Sequence, residues 1–240
     1  MAKHQTGGLL LFLCIIFIHA SHSRGEVIVF DRVTTVGNPV FLKALTKGKL
    51  FPQGGKLVNF YIDNNYIGRN LSGGDGYAYF KYLPKEIGIK GIEVRTDTYS
   101  SQGLMLVTKK NKEMILIEIM SGLRETILNN RAMEYSKKAV KTLSEKYGII
   151  YLSRKVVIAY FKKWLEQEHF VQSPVLIWSG PELLTLLEEN GLRLRALIGS
   201  AELLSEASGY IQNRYSFQET EEGKTVEDWK EILKLLGFKE

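Results

Sequence analysis

The spacing of apolar positions changes once along the chain, near residues 109–112. From residue 26 to 108, short runs rich in β-branched and aromatic residues are separated by Gly, Asn, Asp and Pro. Apolar and polar positions alternate within several runs, as in IEVR at residues 92–95, which is typical of a strand with one buried face. About seven such runs in about eighty residues predict an antiparallel β-sandwich.

Beyond this point the pattern predicts strands that alternate with helices. The predicted strands are the apolar runs Ile115–Ile119, Ile149–Leu152, Val175–Trp178 and Leu194–Ile198. The predicted helices have apolar stripes or capping signals, and they cover Ala132–Tyr147, Val156–Glu168, a segment from the capping box Ser179–Glu182 to Gly191, Ala201–Ala207 and a last helix capped within Thr225–Asp228. This order predicts a second domain, 112–240, with a parallel, Rossmann-like sheet covered by helices on both faces.

Residues 1–23 have the pattern of a secretory signal peptide. Lys3 precedes the apolar run Leu9–Ile18, and small residues follow it at Ala20–Ser23. The run is shorter than the ~20 residues that span a bilayer. We therefore expect cleavage between Ser21 and Glu26 and a secreted, periplasmic or cell-envelope protein. A short uncleaved anchor is the alternative, and it is the only membrane contact that the sequence predicts.

Composition narrows the classes of function. The net charge of +6 is modest for 240 residues, and the basic residues are interleaved with acids, so nucleic acid is not an expected partner. Cys14 is the only cysteine and His169 is the only histidine beyond the predicted signal, which excludes a histidine triad and a zinc cluster in a cleaved chain. Asp63, Asn65 and Asp75 carry oxygen donors that suit calcium, but their Gly- and Asn-rich surroundings favour simple turns.

The first half resembles bacterial immunoglobulin-like repeats of the invasin and "big" type. The similar features are GNPV at a turn before a strand, VNFYID as the next strand, and DGYA at the step into the following strand. The similarity covers most of residues 26–108. It implies an immunoglobulin-like sandwich, in a family whose members are mostly spacers and adhesion units.

The second half resembles the haloacid-dehalogenase-like (HAD-like) phosphohydrolases, particularly secreted kinds fused to an immunoglobulin-like module. The similar segments are ILIEIM, IIYLSRK, VVIAYFKKWLEQEHFVQSPVLIW and RALIGS, in this order, within residues 112–240. The resemblance implies a site at the carboxyl ends of the strands, where ligands bind in open parallel sheets. In the family, two Asp residues act as nucleophile and general acid, a Ser or Thr binds phosphoryl oxygens, a Lys stabilises charge, and further acids hold Mg²⁺.

This chain departs from that pattern at most of these positions. Glu118 stands at the nucleophile position, one methylene longer than Asp, and Met120 at the acid position cannot carry a proton. Ser200 stands where the family has a metal-binding Asp, and Glu202 is out of register with the second acid. Ser200 and Glu202 remain candidates for ligand binding, and no resident metal or cofactor is expected.

Ser153 keeps the chemical type of its motif, with Arg154 or Lys155 as the adjacent basic residue. These three residues and Glu118 are the candidate remnants of a catalytic site, and Ser153 is also a candidate ligand-binding residue. Structural roles are the alternatives: Glu118 would pair with Arg154 or Lys155, and Ser153 would cap the helix that follows.

The sequence therefore favours a two-domain pseudoenzyme of the cell envelope, in which the HAD-like domain binds a ligand, a partner protein or another envelope component. An atypical Mg²⁺-dependent hydrolase of phosphate esters, including lipid-linked ones, is the first alternative, with Glu118, Ser153 and a basic residue at its site. A structural or adhesion protein, in which both halves are scaffolding, is the second. Binding of Mg²⁺ separates the hydrolase from the other two.

Overall fold

The computed structural model describes residues 25–125, 131–154 and 158–238. The predicted signal segment and Lys155 lie outside the described residues, and cleavage of the signal stays a prediction. Within those ranges, no helix is both long and apolar enough to cross a membrane.

Two sheets form the first half of the described chain. One has the order β1 (Glu26–Phe30), β3 (Val40–Lys47), β6 (Tyr77–Tyr82), and the other has the order β2 (Arg32–Thr35), β8 (Ser100–Thr108), β7 (Gly88–Arg95), β4 (Leu57–Ile62), β5 (Asn65–Leu71). Leu42 and Phe60, one from each sheet, are fully buried in a shared apolar cluster. This is the predicted immunoglobulin-like sandwich, except that β2 and β8 pair in parallel.

The chain changes sheets at Asp31. Strand β1 (EVIVF) pairs with β3, whereas β2 (RVTT), which begins directly after Asp31, pairs with β8. The apolar pattern predicts one strand in this region, because a single bend residue does not interrupt it. The predicted turns are confirmed: Asp63 and Asn64 have positive φ angles of 48° and 66° between β4 and β5, and Asp75 Oδ1 accepts from Tyr77 N at 3.0 Å.

A six-stranded parallel sheet forms the second half of the described chain. Its order is β11 (Val175–Ile177), β10 (Gly148–Ser153), β9 (Glu113–Glu118), β12 (Arg193–Ile198), β13 (Arg214–Ser216), β14 (Lys224–Thr225). Side chains of α1 (Ser136–Lys146), α2 (Ile158–Gln167) and α5 (Trp229–Leu235) pack in one apolar cluster, and those of α3 (Glu182–Glu189) and α4 (Ala201–Glu206) pack in another. The prediction of a parallel sheet covered on both faces is confirmed.

Several helix ends differ from the prediction. Helix α1 begins at Ser136 rather than Ala132, because Tyr135 has a left-handed φ of 65° and Ala132 forms a bridge with Arg124. The predicted capping box is absent from α3, whose first residue follows Pro181 without a side-chain cap bond. Asp228 does cap α5, where its carboxylate accepts from two backbone N–H groups at 2.9 Å.

The two halves share packed side chains. Phe30 and Leu45 of the sandwich lie in the cluster that contains α1, α2 and α5, and Val33 lies in the cluster on the other face of the parallel sheet. The short segment that joins the two halves, near residues 109–112, is fixed to the second half, since Asn111 N donates to Gly191 O at 2.7 Å. Independent folding of 26–108 and 112–240 stays a prediction.

Candidate functional site

The carboxyl ends of three adjacent strands bring the predicted residues to one edge of the sheet. Strand β9 lies between β10 and β12, and Glu118 is in register with Leu152 of β10. Ser153 is the buried last residue of β10, and Ser200, one residue beyond Gly199 at the end of β12, is the N-cap of α4. Glu118, Ser153 and Ser200 therefore occupy neighbouring strand ends.

The Glu118 carboxylate is buried and makes two internal hydrogen bonds. Its Oε2 accepts from the backbone N–H of Ser200 at 2.7 Å and from the hydroxyl of Ser121. Ser121 is placed for this by a single π-helical turn, Ile119–Leu123, that follows β9 directly. Glu118 thus ties the end of β9 to the end of β12 and to the start of α4.

Gly199 makes room for this arrangement. A Cβ built at Gly199 would lie 3.1 Å from Glu118 Oε2 and 2.7 Å from Leu203 Cδ2. Both distances are shorter than ordinary contacts, so a side chain at residue 199 would displace the carboxylate or the helix. The glycine before Ser200 is therefore needed for the close approach of Glu118.

Met120, at the position of the expected general acid, packs against a buried cation. Its Sδ lies 3.0 Å from Nη1 of Arg124. The Arg124 guanidinium also lies 5.9 Å from the ring centroid of Trp164 and 6.0 Å from that of Tyr160. Arg124 could not be identified from the sequence, because no periodic pattern marks a cation that is buried against aromatic rings.

Arg154 forms ion pairs with two carboxylates of α4, not with Glu118. Its Nη2 lies 2.7 Å from both Glu202 Oε1 and Glu206 Oε1. Glu206 also accepts from Trp178 Nε1 at 2.5 Å. The structural alternative in which Glu118 pairs with Arg154 is therefore wrong, because Arg154 satisfies Glu202 and Glu206 instead. Lys155 lies outside the described residues.

These residues do not fit a Mg²⁺ site of the kind that the resemblance implies. Mg²⁺ needs several oxygen ligands in near-octahedral geometry. Oε2 of Glu118 is engaged by two donors, the Ser200 hydroxyl accepts from Leu203 N at 3.4 Å, and Glu202 pairs with Arg154. The described chain has no group of three or more His, Cys, Asp or Glu side chains gathered for a metal.

A second cluster of polar contacts lies between the two halves, at Asp31. This carboxylate is buried; Oδ1 accepts from Leu104 N and Oδ2 from Val175 N, both at 2.8 Å, and Oδ1 pairs with the Lys162 ammonium. Val175 belongs to the edge strand β11, so Asp31 satisfies an N–H group that the sheet leaves unpaired. A Cβ at Gly103 would lie 2.8 Å from Asp31 Oδ1. We call this group the Asp31 clamp.

Cavities flank the Asp31 clamp. One of about 920 Å³ is lined by polar and aromatic side chains from both halves, among them Gln102, Lys162, His169 and Tyr151. Burial raises the pKa of the Tyr151 phenol, which donates to Val171 O at 2.9 Å. Another, of about 540 Å³, has a more apolar lining that includes Phe41, Tyr77, Leu183 and Leu186.

No family model and no curated protein matches this sequence. One solved structure that is similar to part of it is the D0-D1 domain of intimin, with 11% sequence identity and a TM-score of 0.29 over 36% of this chain and 50% of that chain. Another is invasin, described as a bacterial integrin-binding protein, with 14% sequence identity and a TM-score of 0.29 over 37% of this chain and 19% of that chain. The CARDB domain of PF1109 from Pyrococcus furiosus is also similar (14%, 0.27, 35% and 93%). This chain spans half the length of the intimin fragment. The immunoglobulin-like assignment rests on the strand pairing described above.

Proposed function

We propose that this chain is a non-catalytic binding protein of the cell envelope, built from an immunoglobulin-like module and a degenerate HAD-like domain. The observation that carries the proposal is the bonding of Glu118. The carboxylate expected to attack phosphorus instead accepts from Ser200 N and Ser121, and so joins two strand ends. A nucleophile engaged in this way is poorly placed for in-line attack on a bound ester.

The strand order supports the HAD-like part of the proposal. The segments that resemble the family's first, second and fourth motifs end β9, β10 and β12, which are neighbours in the sheet. The residues that differ from the family occupy the same edge, and Met120 and Arg154 are each held by other side chains. The proposal is that the domain keeps the family's arrangement of motifs while its polar groups serve internal contacts.

Binding is proposed at the boundary between the modules rather than at the strand ends. Ligand sites occur preferentially between domains, in cavities of roughly 300–1,000 Å³ with a few polar groups. The cavity of about 920 Å³ beside the Asp31 clamp has this size and lining. Gln102, His169 and Lys162 are its candidate polar contacts. The partner is proposed to be another component of the cell envelope, or a ligand that such a component carries.

Restoring the family's acids tests the alignment of the strand ends. The triple substitution Glu118→Asp, Met120→Asp and Ser200→Asp would place three carboxylates at the ends of β9 and β12. We expect the metal-free variant to be less stable than the parent, because the like charges repel. With Mg²⁺ about 100-fold above its Kd, we expect its melting temperature to rise by about 5–10 °C.

The matched control is Glu118→Asn, Met120→Asn and Ser200→Asn, which keeps the shapes and removes the charges. This control and the parent should show no Mg²⁺-dependent rise. Failure of the carboxylate variant to bind any divalent ion would count against the HAD-like alignment. A rise in the parent equal to that of the variant would instead revive the hydrolase.

A further inference from the structure

The cavity of about 540 Å³ at the boundary between the two halves has a cationic wall and an apolar wall. The sandwich contributes the cations Arg32 and Lys43 to its lining. The second half contributes only uncharged residues to the described lining, and most of them are apolar, among them Ile177, Leu183 and Leu186. A cavity divided in this way matches a ligand with a charged end and an apolar body.

Strand pairing places the Lys43 ammonium among aromatic rings rather than beside a carboxylate. Lys43 lies in register with Phe30 of β1 and with Tyr79 of β6. Its Nζ lies 4.0 Å from the ring centroid of Tyr77 and 5.1 Å from that of Phe30. Within the described ranges, the ammonium forms neither a hydrogen bond nor an ion pair, so its N–H donors have no acceptor there.

Arg32 is the second cation of this wall, and its hydrogen bonds go to neutral acceptors. Its Nε donates to Phe41 O at 2.7 Å, and Nη1 donates to Asp31 O at 3.0 Å. Nη2 has no partner among the residues that the structure describes. The Asp31 carboxylate, which also lines the cavity, is engaged by Lys162 and by two backbone N–H groups.

The two cations disfavour each other's charge. Burial lowers the pKa of the Lys43 ammonium, and the positive charge of Arg32 lowers this pKa further. Burial also lowers the pKa of the Arg32 guanidinium. The negative charges of Asp31 and Asp75 offset these effects only in part. An anion bound beside both groups would therefore stabilise their charged forms.

We propose that this cavity binds a small amphiphilic anion, whose carboxylate or phosphate group is held by Arg32 and Lys43. The two cations donate charge-assisted hydrogen bonds to the head of the ligand. Its apolar chain packs against Leu183, Leu186 and Phe41, and so covers two side chains that are 52% and 57% exposed without it, those of Leu186 and Phe41. This cavity differs from the one of about 920 Å³, and the site does not depend on the function proposed for the HAD-like domain.

Isothermal titration calorimetry of the full chain with laurate, below its micelle-forming concentration, tests the role of the cations. We expect Lys43→Met to raise the Kd for laurate at least about tenfold, because it keeps the length of the side chain and removes a charge-assisted hydrogen bond. Arg32→Gln is a second variant with the same expectation. The matched control is Lys47→Met on the same strand, β3, since Lys47 pairs with Glu26 outside this cavity; its Kd should equal that of the parent.

Two further ligands with the same chain separate the headgroups. We expect dodecyl phosphate to bind the parent as an anion does, and dodecyltrimethylammonium to bind at least about tenfold more weakly than laurate. A lower Kd for laurate would support the proposal with a carboxylate head, and a lower Kd for dodecyl phosphate would support it with a phosphate head. Absence of binding by both anions, equal binding of the cationic amphiphile, or an unchanged Kd in both Lys43→Met and Arg32→Gln would overturn the proposal.

A single added tryptophan tests the location of the site. The native Trp164, Trp178 and Trp229 are buried, so Phe41→Trp adds an exposed fluorophore at the cavity. We expect laurate to shift its emission to shorter wavelength. The matched control is Phe51→Trp, since Phe51 is 74% exposed and does not line this cavity. A shift at residue 41 alone would support the proposal, whereas equal shifts at the two positions, or none, would overturn it.

Discussion

Replacing Asp31 with alanine is expected to lower the free energy of unfolding by about 3–5 kcal/mol, the cost of removing one partner of a buried ion pair. The carboxylate is fully buried, whereas the Lys162 side chain is 24% exposed. The substitution leaves the backbone N–H groups of Leu104 and Val175 without their acceptor. Urea denaturation of the full chain, followed by far-UV circular dichroism and by tryptophan fluorescence, measures the change.

The control for this prediction is Glu26→Ala. Glu26 pairs with Lys47 at 2.5 Å, but the two side chains are 52% and 33% exposed, so its loss should cost less than about 1 kcal/mol. Asp31→Asn should fall between these values, because its amide oxygen replaces only one acceptor. A cost below about 1 kcal/mol for Asp31→Ala would show that the Asp31 clamp does not hold the two halves together.

Replacing Glu118 with alanine is expected to cost about 1–3 kcal/mol, because Ser200 N–H and the Ser121 hydroxyl lose a buried acceptor. Glu118→Gln should remain within about 1 kcal/mol of the parent, since its amide oxygen can still accept from Ser200 N–H. Ser121→Ala removes one donor and leaves the carboxylate bonded to Ser200, so its effect should be smaller than that of Glu118→Ala. Thermal and urea unfolding of the three variants give the comparison.

A catalytic carboxylate would show the opposite order. Glu118→Gln would remove activity as completely as Glu118→Ala. Neither variant would be less stable than the parent, because catalytic groups commonly lower the stability of the folded protein. Equal stability of Glu118→Ala and the parent would therefore contradict the structural role proposed for Glu118.

The elements with a strong period could be predicted from the sequence, whereas the contacts between them could not. The strands that end at Glu118 and Ser153 contain continuous apolar runs, the strand that ends at Ile198 finishes with an apolar run after Arg195, and the helices between them carry apolar stripes, so the parallel sheet could be inferred. Strands β13 and β14, with three and two residues, are too short to show a period.

Asp31 illustrates a contact that has no local signal. Its partners Leu104, Lys162 and Val175 are 73, 131 and 144 residues away in sequence, and a single Asp between two β-rich runs is typical of a turn. The pairing of Arg154 with Glu202 and Glu206 was missed for the same reason. The sequence could predict that Arg154 lies at a strand end, but the choice of its carboxylate partner depends on how α4 packs against that end.

The central claim is that Glu118 is a structural carboxylate in a domain that does not transfer phosphoryl groups. The most direct test is the rate of phosphate release from a generic aryl phosphate by the full chain, with and without Mg²⁺, for the parent and for Glu118→Gln. We predict that neither protein exceeds the uncatalysed rate under either condition. Mg²⁺-dependent turnover by the parent that Glu118→Gln abolishes would contradict the claim.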